Sequence, residues 1–456
     1  MKKILSTVLF LSLLVSLASC TTSSPEASEN GTSQTVSTGN SATLQEFQKT
    51  AMIEETVLYD AQDVRITATG LSYNNTSVDI NLDIENNSNK DLSFTACTLG
   101  YSCNSVNGYM IPDGYLNCDV TAGKKANDTI TFSYDALMVY GIFELSDIEL
   151  GFTITDDDYN NIYTGPCPLK TSLADTHNYD TPYYREMITS KALQNAFAYS
   201  VSYFSDDSLY DQNGISIVSS ALCVNKDDET VLLLEIVNGS NETVDVTTSQ
   251  VSVNGLGVYS GTWSVDMINP GKTCIATLSL SDMANGMLTE YGVKEVGTFS
   301  LSMSFKNSDG NDISTPTDLT ITNPDAKVKF DSKGDEIYND NDIRIISKGI
   351  VKDNSEYSDD LYLLLLVENN SANPIVLDDV YDSFSINGYM MDASMDYTEV
   401  KNNTSSVVPI KLWSMYLEKN DITSPEEINS VEFSVEINNN HDKGIDKPTL
   451  NIEFKH

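Results

Sequence analysis

The chain has 456 residues and a formal net charge of −40, with an isoelectric point of about 4.1. A chain of this length suits about three ordinary domains rather than one. So large an excess of carboxylates repels phosphate, which excludes nucleic acid as a partner and disfavours direct contact with anionic lipid headgroups.

The first predicted element is an export signal. A short positive start precedes an apolar run from Ile4 to Leu17, which is too short to span a membrane comfortably. Residues 17–20 read Leu-Ala-Ser-Cys and resemble the lipobox of bacterial lipoproteins. The resemblance implies that residues 1–19 are a cleaved signal peptide and that a lipid on Cys20 anchors the protein to the cell membrane, outside the cytoplasm. An ordinary secretory signal with a chance cysteine is the alternative.

A flexible tether is predicted next, over residues 20–49. This segment is rich in Ser, Thr, Asn and Gly and has few apolar residues, so it cannot bury enough surface to fold. As a random coil it would reach roughly 30 Å from the lipidated cysteine.

The rest of the chain carries an internal repeat with three anchors in the same order. The first anchor is a tyrosine followed by turn-forming residues, the second an asparagine that ends an apolar strand, and the third an Asn-Gly pair. Asn-Gly between apolar residues predicts a tight β-hairpin, because both residues tolerate positive φ. The anchors lie at Tyr59, Asn86 and Asn107 in the first copy, at Tyr210, Asn238 and Asn254 in the second, and at Tyr338, Asn369 and Asn387 in the third.

Between the anchors, apolar residues alternate with polar ones, which predicts strands that bury one face, while the apolar run 361–367 predicts a central strand. The succession of short strands resembles the immunoglobulin-like domains of many Gram-positive cell-surface lipoproteins. That resemblance implies an all-β fold of three tandem immunoglobulin-like antiparallel β-sandwiches. The predicted boundaries are 50–175, 198–325 and 326–456, with a connecting segment at 176–197. The hydrophobic period from Glu186 to Ala198 predicts a short helix that joins the first two copies.

Six cysteines besides Cys20 are candidates for disulfides, because an exported chain folds in an oxidising compartment. We predict a disulfide between Cys223 and Cys274, with two buried thiols as the alternative. The third copy has no cysteine, so disulfides are not the framework of the fold. The other candidates are Cys97, Cys103, Cys118 and Cys167.

The sequence offers few groups for catalysis. Its three histidines, His177, His441 and His456, fall at no repeated position, and no nucleophile elbow, zinc motif or phosphate loop is present. We therefore expect no enzyme, no metal and no cofactor. The abundant turn carboxylates leave a carboxylate-dependent hydrolase as the weakest alternative.

Aromatic residues near the Asn-Gly hairpins are the remaining candidates for a ligand site. Exposed rings could stack on sugars or anchor a protein, whereas packed rings would only close the hairpins. We expect a non-catalytic binding or adhesion module for a glycan or an extracellular protein, with a structural spacer or coat protein as the alternative. The candidate residues are Tyr109, Tyr115, Tyr259, Trp263, Tyr389 and Tyr397.

Overall fold

The computed structural model describes residues 45–96, 104–179, 183–191, 194, 200–224, 230–258, 263–279, 287–353, 358–439 and 444–455. The predictions for the signal peptide, for Cys20 and for most of the tether lie outside these ranges. The all-β prediction is confirmed, because 56% of the residues form strands arranged in sandwiches. Among the described residues, no helix is long and apolar enough to cross a membrane.

Repeat 1 (residues 50–175) packs two sheets around one apolar core. The first sheet has the order β1-β2-β3-β8, and the alternation along β3 places every second side chain in the core, as predicted. The second sheet contains β4 to β7, β9 and β10. The elements are β1 (Thr56–Ala61), β2 (Val64–Tyr73), β3 (Ser77–Asn86), β4 (Leu92–Ala96), β5 (Asn104–Val106), β6 (Tyr109–Ile111), β7 (Leu116–Val120), β8 (Lys124–Ser133), helix α1 (Tyr134–Met138), β9 (Asp147–Asp156) and β10 (Asn161–Lys170).

The connecting segment contains helix α2 (Tyr183–Thr189), and repeat 2 (residues 198–325) follows with the same succession of strands. Its first sheet contains β11 to β14 and β18, and its second contains β15, β16, β17, β19 and β20. The elements are β11 (Ser200–Ser205), β12 (Tyr210–Gln212), β13 (Ile215–Val224), β14 (Thr230–Asn238), β15 (Val244–Val253), β16 (Leu256–Gly257), β17 (Trp263–Ile268), β18 (Thr273–Ser279), a 3₁₀ turn (Thr289–Tyr291), β19 (Thr298–Asn307) and β20 (Thr317–Thr322).

Repeat 3 (residues 326–456) begins with the first sheet β21-β22-β23-β29. Strand β23 lies between two neighbours and is buried on both faces, so the predicted central strand is confirmed. The elements are β21 (Asp335–Asp340), β22 (Ile343–Lys352), β23 (Leu361–Asn369), β24 (Ile375–Asp379), β25 (Ser385–Ile386), β26 (Tyr389–Met390), β27 (Ala393–Met395), β28 (Thr398–Val400), β29 (Thr404–Leu412), helix α3 (Ser414–Leu417), 3₁₀ turns (Glu418–Asn420 and Pro425–Glu427), β30 (Ser430–Asn439), β31 (Gly444–Asp446) and β32 (Thr449–Glu453).

The Asn-Gly anchors form the predicted tight turns. Asn107, Asn254 and Asn387 have φ of 49°, 53° and 51°, and the glycine that follows each also has positive φ. The asparagine side chain has a second role, because it joins the hairpin to the strand across the sheet. In repeat 1, the Asn107 Nδ2 donates to the Glu144 carbonyl at 2.7 Å and its Oδ1 accepts the Ser146 N–H at 2.8 Å. Equivalent bonds occur in repeats 2 and 3.

The asparagines that end β3, β14 and β23 are completely buried. The Asn86 Nδ2 donates to the Lys90 and Val120 carbonyls, each at 2.8 Å, and its Oδ1 accepts the Ser88 N–H at 3.0 Å. Asn238 and Asn369 make the same set of bonds in their repeats. A buried polar side chain that is fully satisfied can specify a single turn geometry, which explains why this anchor recurs.

Sheets continue from one repeat into the next. Within each repeat the described strand pairs are antiparallel, but β6 of repeat 1 pairs in parallel with β18 of repeat 2, and β16 of repeat 2 pairs in parallel with β29 of repeat 3. In repeats 1 and 2, the strand that follows the Asn-Gly turn therefore joins its repeat to the first sheet of the next one.

The predicted Cys223–Cys274 disulfide is wrong. Cys223 pairs with Val231 near the start of β14, whereas Cys274 pairs with Ile236 on the opposite edge of that strand. Five residues along a strand span about 17 Å, and a disulfide requires Cα atoms within about 7 Å. Both cysteines are buried, and Cys118 and Cys167 are also buried thiols, while Cys97 and Cys103 lie outside the described residues.

Candidate functional site

The structure separates the six predicted aromatic residues. Tyr109 is half-buried between repeats 1 and 2, with its ring centroid 6.2 Å from that of Tyr140, and burial raises its pKa to about 12. It therefore closes a junction, as the packed-ring alternative expects. Tyr115, Tyr389 and Tyr397 are exposed by 49%, 55% and 66% of their surfaces. Tyr259 lies outside the described residues, and only the backbone is described for Trp263, which begins β17.

Tyr397 stands at a cleft of about 680 Å³ between repeats 2 and 3, which we call the Tyr397 cleft. Repeat 2 contributes β15, β16, β19 and β20, and repeat 3 contributes the segment from Tyr397 to Lys401 and the start of β29. Apolar atoms contribute more of the lining surface than polar ones, but most of the lining residues carry a polar group. The lining residues with hydroxyl, amide or charged groups are Ser249, Gln250, Ser252, Ser300, Asp318, Thr320, Tyr397, Thr398, Glu399, Lys401, Thr404 and Ser406.

A β-bulge shapes the repeat 2 side of the cleft. The pairing of β15 with β19 shifts register between Ser249 and Ser252, and Gln250 within this bulge has φ of 54°. A bulge re-aims the side chains of an otherwise regular strand. The bulge therefore places Gln250 at the cleft, where its Nε2 donates to the Glu399 Oε1 of repeat 3 at 3.4 Å.

The parallel pair of β16 and β29 contributes Gly257 and Ser406 to the lining of the cleft. Leu256 pairs with Ser405 and Gly257 with Ser406. A Cβ atom at Gly257 would displace the Ser406 hydroxyl, whereas the Ser405 carbonyl would stay at van der Waals distance from it. The glycine thus leaves room for the hydroxyl of Ser406, which lines the cleft.

Charged and polar side chains bridge the two repeats across the cleft. The Lys401 Nζ lies 3.6 Å from the Asp318 Oδ1; the Asp318 side chain is largely exposed and that of Lys401 partly so. On the repeat 2 wall, the hydroxyls of Ser300 and Thr320 are 2.9 Å apart. Because these groups keep further donor and acceptor capacity, the cleft can form several hydrogen bonds with a ligand while one aromatic face remains available.

This arrangement suits the recognition of a polyhydroxylated ligand. An exposed ring provides an apolar surface for a sugar face, and amide, hydroxyl and carboxylate groups fix its orientation. Sequence reasoning found Tyr397 but missed Gln250, Asp318, Glu399 and Lys401. The register shift of β15 brings Gln250 here, and no local pattern in the sequence marks a bulge at that position.

His177, the histidine among the described residues, is held by a hydrogen bond and a ring contact. The His177 Nδ1 lies 2.8 Å from the Glu144 Oε1, and its ring packs edge-on against Tyr179 with centroids 4.7 Å apart. His177 therefore belongs to the contacts that hold the connecting segment against repeat 1. His441 and His456 lie outside the described residues.

No protein-family model matches this chain, and no curated protein sequence matches it. Among solved structures, it is similar to red sea bream transglutaminase at 11% identity over 58% of this chain and 31% of that one, with a TM-score of 0.16. It is similar to a bacterial ice-binding adhesin involved in host cell surface retention at 10% identity over 83% and 90% of the two chains, with a TM-score of 0.13. It is also similar to the exo-chitosanase of Amycolatopsis orientalis at 8% identity over 89% and 78%, with a TM-score of 0.17. Scores this low assign neither a family nor a function.

Proposed function

We propose that this chain is an extracytoplasmic lipoprotein that binds a glycan, without catalysis, in the Tyr397 cleft. The single observation that carries the proposal is the cleft itself, where an exposed ring stands among hydroxyl, amide and carboxylate groups from two repeats. Sugar sites commonly combine one stacking surface with several hydrogen-bonding groups. The acidic surface fits a neutral or cationic glycan better than a polyanion, because a net charge of −40 repels sulfated and phosphorylated chains.

The lipid anchor is the part of the proposal that rests on the sequence alone. The lipobox-like residues 17–20 place the modified cysteine before a tether, so that the binding repeats would stand off the bacterial membrane. Cys20→Ser should move the protein from the membrane fraction to the medium or the periplasm. Unchanged membrane association of the Cys20→Ser variant, with no acyl group found by mass spectrometry of the native protein, would remove the anchor from the proposal.

Binding is tested with the chain that begins at residue 21, screened against an array of cell-wall and host glycans and then titrated by calorimetry. Tyr397→Ala should weaken a positive hit by about tenfold or more, since a stacked ring contributes on the order of 1–2 kcal/mol. The matched control is Tyr381→Ala, because Tyr381 is 84% exposed in the same repeat but does not line the cleft. Equal losses in both variants, or full affinity after Tyr397→Ala, would refute the site.

A structural spacer is the second candidate, and the buried hairpins favour it. In the first two repeats the residue after the Asn-Gly turn, Tyr109 or Leu256, is enclosed where one repeat meets the next. Enclosed junctions of this kind suit a spacer that holds a partner molecule at a distance from the membrane. The same array separates the two functions, because a spacer binds no glycan even when it is fully folded.

A further inference from the structure

The hairpin β25–β26 of repeat 3 ends in an open strand that is joined to a neighbour in the other two repeats. Among the described strands, β26 pairs with β25 alone, whereas β6 and β16 each also pair with the first sheet of the following repeat. We call β25, its Asn-Gly turn and β26 the terminal hairpin.

The sequence of the terminal hairpin repeats that of the hairpin which joins repeats 1 and 2. Residues 107–110 and 387–390 both read Asn-Gly-Tyr-Met. In repeat 1, Met110 is 5% exposed and contributes to the core shared with repeat 2. In repeat 3, Met390 is 64% exposed. The same apolar residue is thus buried at the junction between repeats 1 and 2 and exposed in repeat 3.

The junction between repeats 1 and 2 shows what such a hairpin binds. The Gly108 carbonyl accepts the Thr273 N–H at 2.9 Å, which starts the parallel pair of β6 and β18. Beside it, the Lys272 Nζ lies 3.3 Å from the Asp147 Oδ2 and 2.9 Å from the Glu149 Oε1, with the lysine side chain only 10% exposed. At this junction the hairpin therefore pairs with the start of a first-sheet edge strand that follows a lysine, whereas Thr404 holds the equivalent position at the junction between repeats 2 and 3.

Repeat 1 presents an edge of this kind. Strand β8 is equivalent to β18 and pairs, among the described strands, with β3 alone. Lys124 opposes Asn86 across the sheet, and Lys272 opposes the equivalent Asn238, so Lys124 holds the position of Lys272. Lys124 and Lys125 are both exposed.

Repeat 3 supplies a carboxylate for this lysine. The Asn107 N–H donates to the Asp147 carbonyl, and the Asn387 N–H donates to that of Ser430, so Ser430 is equivalent to Asp147. Two residues further on, Glu432 holds the position of Glu149 and is exposed. The terminal hairpin and the edge of β8 thus complement each other in charge and in strand geometry.

We propose that the terminal hairpin docks on β8 of a second copy of this chain, head to tail, with Tyr389 beside Lys125 and with Lys124 bound by Glu432. The register follows from the internal junctions, in which Tyr109 pairs with Thr273 and Leu256 with Ser405. Because donor and acceptor are different surfaces, the contact is heterologous and leaves a free end on each copy.

The proposed contact between two copies is confined to the edge of strand β8. The outward face of β3 carries Asp79, Asn81 and Asp83, whereas the equivalent face of β23 carries Tyr362, Leu364 and Leu366 and is buried by repeat 2. A polar outward face of this kind blocks the broad apolar stacking found inside the chain. The association is therefore weak, reversible and dependent on concentration.

Sedimentation velocity of the chain from residue 21, over a concentration series at physiological ionic strength, tests the proposal. At that ionic strength the long-range repulsion between acidic copies is screened beyond about 8 Å. The sedimentation coefficient should rise with concentration. Lys124→Glu and Glu432→Lys should each weaken association by about tenfold or more, and the double variant should restore most of it.

Two further variants separate a specific contact from a general charge effect. Met390→Lys should also prevent association, whereas Lys170→Glu makes the same charge change on an exposed lysine of repeat 1 and should leave it intact. A chain that stays monomeric throughout the series overturns the proposal. Association that is unaffected by both single charge reversals also overturns it. Association that appears only after residues 21–44 are removed overturns it too, since that result would show that those residues cover the edge of β8. Glycan binding by the Tyr397 cleft is unaffected in all of these variants.

Discussion

Removal of the buried asparagine of repeat 3 should destabilise that repeat more than any single polar substitution beside it. Asn369 ends β23 with no exposed surface. Its Nδ2 donates to the Asn373 and Val400 carbonyls, each at 2.9 Å, and its Oδ1 accepts the Ser371 N–H at 3.0 Å and the Ser371 hydroxyl at 2.7 Å. Asn369→Ala removes all of these bonds and leaves their partners in place.

The expected cost follows from where those partners lie. The bond to Val400 is buried, so its carbonyl loses a partner that water cannot readily replace, at a cost of about 1–3 kcal/mol. The bonds to Asn373 and Ser371 lie at a turn that solvent can reach, and their loss adds about 1 kcal/mol. We therefore expect Asn369→Ala to lower the free energy of unfolding of repeat 3 by about 3 kcal/mol.

Hydrogen exchange of the β23 and β28 amides, measured over a urea series, reports the loss of unfolding free energy within repeat 3. A probe within repeat 3 is needed because an array of repeats need not unfold in one step. Asn370→Ala is the matched control, since Asn370 is the next residue in the same turn and is exposed. The reasoning is refuted if Asn369→Ala changes the free energy by less than about 0.5 kcal/mol, the range typical of surface substitutions, or if both variants lose the same amount.

Three more outcomes follow from the junctions and the buried thiols. Gly257→Ala should lower the melting temperature slightly, because its new Cβ would displace the Ser406 hydroxyl and crowd the Ser406 Cβ at the junction; an unchanged melting temperature would show that Ser406 adjusts at no cost. Lys272→Met should cost about 2 kcal/mol in urea unfolding, because it leaves the carboxylate of Glu149 without its buried cation; a neutral effect would show that water replaces the lysine. Burial raises the pKa of Cys223 from 9.0 to about 12, so the folded thiol keeps its proton while the unfolded one ionises; stability should fall as pH rises above 9.0, and Cys223→Ala should reduce that slope.

The strand pattern and the tight turns were predictable because they depend on neighbouring residues. Alternating side chains lie on opposite faces of any strand, so Val78 and Ile80 are buried wherever β3 finds a sheet. Asn107 adopts positive φ next to a glycine for the same local reason. The asparagine that ends β3 was visible as a repeated anchor, but its bond to the Val120 carbonyl, 34 residues away, was not.

The disulfide prediction failed because it used the number of cysteines and not their register. An even count per repeat is compatible with any pairing, or with none. The distance between Cys223 and Cys274 depends on how β13, β14 and β18 align, and hydrogen bonds along three strands decide that alignment.

The sequence by itself determined an all-β chain with a three-fold internal repeat and tight Asn-Gly hairpins, because these properties depend on contacts between residues close in the chain. Only the tertiary structure decided that Tyr109 is enclosed, that Tyr389 is exposed and that Tyr397 stands at a cleft. Tyr109 and Tyr389 follow equivalent hairpins and Tyr397 lies beyond the second of these, and their surroundings differ because of what a neighbouring repeat places against each one. That contact joins strands far apart in the chain, such as β16 and β29, and no local pattern of residues encodes it.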